Sequence, residues 1–137
     1  MTSRARVLIG DDHAVVAQRL NGLLEDEFDV VAIVSNGSQL VEAATRLQPD
    51  VVVTDLSMPG VSGLDALRRL KAAGSRARVI VLTMHAEPET AEEALRTGAM
   101  GFVVKDNAGE ELIPAIDRVL QGGVYVSPRL TSKRESF

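Results

Sequence analysis

Five short runs of β-branched and apolar residues recur along the chain, at 6–10, 29–34, 51–54, 79–83 and 101–104. Four of them are almost wholly apolar, as in VVVT and VIVLT, the pattern of parallel strands covered on both faces. Amphipathic stretches lie between. Val16, Leu20, Leu23 and Leu24 fall at helical spacing after the first run, and Leu40, Val41, Ala44 and Leu47 share a face after the second. Punctuation agrees with this reading. Ser62 stands at an N-cap position ahead of Leu64, Leu67 and Leu70, with Gly74 placed to end that helix. Pro88 suits the first turn of the next helix, Glu89, Glu92 and Glu93 lie toward its positive end, and Gly98 stops it. Asn107 and Glu110 have capping-box spacing for a last helix. Pro114 inside that helix loses a hydrogen bond at a cost of about 3 kcal/mol, which predicts a kink or a later start. Five strands alternating with five helices predict an α/β fold with a doubly wound, five-stranded parallel sheet. Such sheets bind ligands beyond the carboxyl ends of their strands.

Those ends carry chemistry. Asp11-Asp12-His13 follows the first strand, Asp55 the third, Thr83 closes the fourth, and Lys105 follows the fifth. Singly, each has an ordinary structural explanation: a helix cap, a turn former, a β-former and a solvated lysine. On a parallel sheet, however, all four ends face one side, so three carboxylates, a hydroxyl and an ammonium converge. Two unit charges roughly 4 Å apart repel by about 4 kcal/mol at an effective dielectric of 20, so the carboxylates require a cation. Hard oxygen donors with few protein ligands suit Mg2+, which keeps waters and binds phosphate oxygens. Lys105 then supplies a second positive charge for a phosphoryl group. His13 and His85 are the only histidines, too few for a His-rich zinc site. The former reads as an early helix residue and the latter as a loop residue near the site. Neither G-x-x-x-x-G-K-[ST] nor G-x-G-x-x-G occurs, which argues against nucleotide cradling. An FMN phosphate would be repelled by Asp11-Asp12.

Length and charge narrow the picture further. At 137 residues the chain has room for one core, and without cysteine it has neither disulfides nor thiolate metal sites. Val7-Leu8-Ile9 is too short for a signal peptide or membrane span, so a cytoplasmic protein with no membrane partner is expected. The net charge of −4 argues against the domain lying on nucleic acid. Arg129, Lys133 and Arg134 make the tail locally basic, but it reads as solvated linker, too short and aperiodic for a helix-turn-helix. These residues alone are expected not to bind DNA specifically, phosphorylated or not.

The segments VLIGDDH (7–13), VVVTDLSMPGVSGL (51–64), VIVLTMHAE (79–87) and GAMGFVVKD (98–106), in that order, resemble the receiver domain of bacterial two-component response regulators. The resemblance runs over residues 6–126, and DDH, DLSMPG, VLTMH and GGVYVSP are similar to the NarL/LuxR (FixJ) type. It implies the flavodoxin/CheY-like (βα)5 arrangement with strand order 2-1-3-4-5. By the same resemblance Asp55 is the phosphoacceptor. Asp12, Asp55 and the Ser57 backbone carbonyl would ligate magnesium, with Asp11 acting through water. Thr83 matches the switch hydroxyl, Lys105 the phosphate-pairing lysine, and Phe102 the aromatic rotamer switch, for which plain core packing is the other reading. Two positions depart from the family. Asp106 stands where Pro commonly follows the lysine, which argues against a cis bond there, and Phe102 lacks the hydroxyl of Tyr.

The function so implied is a phosphorelay signalling domain, not a turnover enzyme. Asp55 takes its phosphoryl group from a sensor histidine kinase in a Mg2+-dependent reaction. The fourth helix, fifth strand and fifth helix, about residues 87–119, then switch to control an output. That output would be transcription, through a helix-turn-helix domain missing from this chain, with homodimer formation on phosphorylation as a further partner interaction. Residues 1–126 form the receiver and 127–137 a tail or the start of a linker. Two rivals are a phosphorylation-independent receiver-like interaction module and a Mg2+-dependent aspartyl-phosphate phosphatase. The intact acidic set disfavours the first, and Ser57, where a second acid would be wanted, disfavours the other.

Overall fold

A computed structural model describes residues 4–84 and 87–128. The chain runs through β1 (Arg6–Gly10), α1 (Ala14–Leu24), β2 (Asp29–Val34), α2 (Gly37–Leu47), β3 (Val51–Asp55) and α3 (Gly63–Ala72). It continues through β4 (Arg78–Thr83), α4 (Pro88–Thr97), β5 (Gly101–Val104), a 3-10 turn (Lys105–Asn107), α5 (Ala108–Leu120) and a short β6 (Tyr125–Val126). All strand pairings are parallel, in the order β2-β1-β3-β4-β5-β6. The five strands expected from the apolar runs are present, and β6, inside the expected receiver but not among the expected strands, extends the sheet by one. Two residues are too few to show a period.

Side-chain alternation sorts the central strands into two cores. Leu8, Val52, Val79, Val81, Phe102 and Val104 pack with α2, α3 and α4. Their neighbours Val7, Ile9, Val51, Val53, Ile80, Leu82 and Val103 pack with α1 and α5. Burial on both faces explains why these strands read as continuous apolar runs. Right-handed crossovers put α1 on one face, because β1 to β2 runs one way, and α2 to α4 on the other. The step from β5 through α5 to β6 breaks that rule. It moves the same way as β3 to β4, yet α5 lies on the α1 face, so this crossover is left-handed. Side-chain bonds hold the exception in place: Tyr125 Oη and Ser127 Oγ each donate to a Glu111 carboxylate oxygen at 3.1 Å.

Helix ends follow the sequence with two corrections. Ser62 caps α3 by accepting from the Asp65 N–H, and Gly74 and Gly98, both at positive φ, follow α3 and α4. Asn107 is the N-cap residue of α5, but its side chain makes no capping bond. The preceding 3-10 turn satisfies the Ala108 N–H through the Lys105 carbonyl instead. Pro114 neither delays nor interrupts α5. Pro114 is exposed, as is Glu110, whose carbonyl loses the bond, so water can replace it. No described peptide bond is cis, Lys105–Asp106 included. His85 and the basic tail residues lie outside the described residues. Among those described, no helix is long and apolar enough to cross a membrane.

Candidate functional site

Register brings the acids together. Gly10 of β1 pairs with Thr54 of β3, so the next residues along each strand, Asp11 and Asp55, stand abreast. Asp55 pairs with Leu82 of β4, and Thr83 pairs with Val104 of β5, the residue before Lys105. Alternation then selects a face. Asp11 continues the series of Val7 and Ile9, Asp55 that of Val51 and Val53, and Lys105 follows Val103, so all three fall on the α1/α5 side. Thr83 continues the series of Val79 and Val81 on the α4 side. The hydroxyl and the ammonium therefore reach the strand ends from opposite faces of the sheet.

Lys105 Nζ donates to Asp55 Oδ2 at 2.8 Å and lies 3.0 Å from Asp11 Oδ2. Asp55 Oδ1 accepts from the Ser57 N–H at 3.2 Å, and Asp11 Oδ1 from the His13 N–H at 2.8 Å. Asp11, Asp55 and Thr83 are all buried. Burial is the largest single influence on Lys105 and pulls its pKa down. The contacts and charges of Asp55 and Asp11 together outweigh it, so the ammonium is held above its ordinary value of 10.5.

One ammonium does not balance three carboxylates. Ligand atoms of Asp11, Asp12, His13 and Asp55 all lie within 4.8 Å of one another. Asp11 Oδ2, although beside Lys105, accepts no hydrogen bond, which leaves a buried carboxylate oxygen unsatisfied. An orphaned oxygen in an uncompensated acidic cluster fits a divalent cation with oxygen ligands, as expected for Mg2+.

The loop carrying Ser57 is pinned by two glycines. A Cβ on Gly63 would overlap the Asp55 carbonyl, and one on Gly37, at the start of α2, would overlap the Val61 carbonyl. Gly63 lies within the 51–64 segment but was given no role there, and Gly37 lies outside every segment singled out in the sequence. The Glu111 clamp, whose partners are 14 and 16 residues apart, also escaped the motif reading. His13 is the N-cap residue of α1 and makes no side-chain cap bond; its ring stands beside the acids. Phe102 is fully buried among the side chains under α4. A 690 Å³ cleft lined by Arg4, Arg6, Asn21 and Asp50 lies at the opposite end of the strands, away from these groups.

The family model described as the response regulator receiver domain matches residues 7–117. A nitrate/nitrite response regulator protein homolog of Haemophilus influenzae is 37% identical over 129 residues, covering 93% of this chain. The chain spans 62% of that relative's length. The crystal structure of a two-component response regulator of the LuxR family from Aurantimonas sp. SI85-9A1 superposes with a TM-score of 0.90 at 32% identity, covering 95% of this chain and 94% of that one. The isolated receiver domain of RcsB from Salmonella enterica serovar Typhimurium, solved with the phosphomimetic BeF3-, gives 0.86 at 27% identity, with 95% and 98% covered.

Proposed function

From this chain's membership of the response regulator receiver domain family, of the NarL/LuxR type, we propose that Asp55 accepts a phosphoryl group from the phosphohistidine of a sensor kinase. The observation that carries this reading is the Lys105 ammonium shared by Asp55 Oδ2 and Asp11 Oδ2 at the strand ends. A carboxylate held there has a cation beside it, a backbone N–H on its other oxygen, and water access limited by burial.

In the transfer an Asp55 oxygen forms a bond to phosphorus as the phosphorus–nitrogen bond to the donor imidazole breaks, and the imidazole keeps the electron pair. Lys105 stays protonated throughout, because its pKa is raised, and it offers its N–H donors to the transferred group. Asp12, Asp55 and the Ser57 carbonyl would hold Mg2+, with Asp11 acting through water, and the ion when bound neutralises charge on the phosphoryl oxygens. The new oxygens would then recruit Thr83, one residue past the Asp55–Leu82 pair, and bias α4 and β5 between two arrangements. Phe102, packed beneath α4, would follow through packing alone, having no hydroxyl.

On this reading residues 1–126 are a receiver and 127–137 lead toward an output segment. The protein works in the cytoplasm, pairs with itself on phosphorylation, and acts on DNA through an output domain rather than through the receiver itself. It would modify itself once per signal rather than turn over. The test is intact mass after incubation with acetyl phosphate and Mg2+. The wild type should gain one phosphoryl group and Asp55→Asn none. Undiminished labelling of the variant would sink the assignment.

A further inference from the structure

The ring of His13 has no role in the reaction as proposed above and makes no capping bond in α1. Its Nδ1 lies 3.2 Å from Asp12 Oδ1 and 3.4 Å from Asp11 Oδ1. It is one of four ligand atoms within 4.8 Å of one another, the others being carboxylate oxygens of Asp11, Asp12 and Asp55. Independently, Asp11 Oδ2 is buried without a hydrogen bond, and the ammonium 3.0 Å from it, Lys105 Nζ, is shared with Asp55. The His13 side chain is 65% exposed, which leaves that side of the cluster open to an incoming ion.

A nitrogen ligand changes which ion such a site favours. Mg2+ gains little from imidazole and keeps its waters, whereas Co2+, Ni2+ and Zn2+ bind imidazole well. We propose that His13 Nδ1, with Asp11, Asp12 and Asp55, forms a mixed nitrogen–oxygen site for a divalent transition-metal ion. Exchange of Mg2+ for such an ion then recruits His13 as an additional ligand. The proposal rests on the acidic cluster being the metal site, and adds that it distinguishes transition ions from alkaline-earth ions through one residue. An imidazole that only pairs with the neighbouring carboxylates would treat all divalent ions alike.

The experiment titrates the full chain with Mg2+ and with Co2+ by calorimetry, for the wild type, His13→Gln and Asp12→Asn, and records the visible bands of bound Co2+. An exposed ring carries no core packing, so His13→Gln should fold as the wild type does. The expected result is a loss of about tenfold or more in Co2+ affinity in His13→Gln, with altered Co2+ bands and Mg2+ affinity within about twofold. Unchanged Co2+ affinity and bands, or equal losses for both ions, would overturn the role of His13. Failure of the underlying metal site looks different: Asp12→Asn would then bind Mg2+ as tightly as the wild type.

Discussion

Replacing Lys105 by Met removes the ammonium that faces two buried carboxylates, Asp11 and Asp55. The side chains of Asp11 and Asp55 are 0% and 5% exposed, and Lys105 itself is 8% exposed, so water cannot take its place. Breaking a buried ion pair from one side costs about 3–5 kcal/mol, because the surviving charge is stranded. Two stranded carboxylates put Lys105→Met at the upper part of that range in metal-free buffer at neutral pH. For a domain of this size the corresponding fall in Tm is about 15 °C. The assay is urea unfolding with chelator present, followed by circular dichroism. Adding Asp55→Asn to Lys105→Met should recover part of the loss, since one stranded charge is removed. Lys105 has a raised pKa, so its contribution is complete below 10.5 and is lost as pH climbs through the higher folded value. The variant should lack that alkaline loss. A Lys105→Met protein within about 0.5 kcal/mol of the wild type at neutral pH would refute the argument that this lysine neutralises the cluster.

Asp12→Asn should raise metal-free stability by about 1 kcal/mol, since like charges within 4.8 Å repel and partial exposure screens the effect, while Mg2+ affinity falls. Thermal melts with and without Mg2+ read both changes. Gly37→Ala should cost about 1–3 kcal/mol by forcing the Val61 carbonyl away, with faster amide exchange spreading into residues 56–62; protection confined to wild-type values there would count against the interlock. Tyr125, the only tyrosine, is pushed up to about 12 by burial and by the charge and hydrogen bond of Glu111. Phenolate absorbance should therefore titrate late, and Glu111→Gln should bring it down. The raised value also means that its stabilising contribution, present below the ordinary pKa of 10, disappears as pH rises through about 12.

The alternation of apolar runs with helical periods fixed the number and kind of the main elements. A strand buried on both faces must be apolar throughout, and a helix on a sheet must be apolar on one side. The residues at the strand ends, Asp11, Asp12, Asp55, Thr83 and Lys105, were legible for the same reason, because parallel strands bring all their carboxyl ends to one edge. Face parity was there to be read as well: Asp11, Asp55 and Lys105 each sit an even number of residues from strand positions in the α1/α5 core. Pairing order, however, is not written in any single strand. Only the assembled sheet sets Asp11 abreast of Asp55 and brings Lys105 Nζ to 2.8 Å from Asp55 across 50 residues of chain. The unsatisfied oxygen of Asp11, the His13 ring beside it and the glycine approaches at Gly37 and Gly63 are likewise properties of close packing between distant segments. β6 and its left-handed crossover escape pattern reading because their stability comes from two hydroxyls meeting the Glu111 carboxylate, a contact without periodicity. Periodicity reports which face a residue must bury; what that face meets depends on how the whole chain is packed.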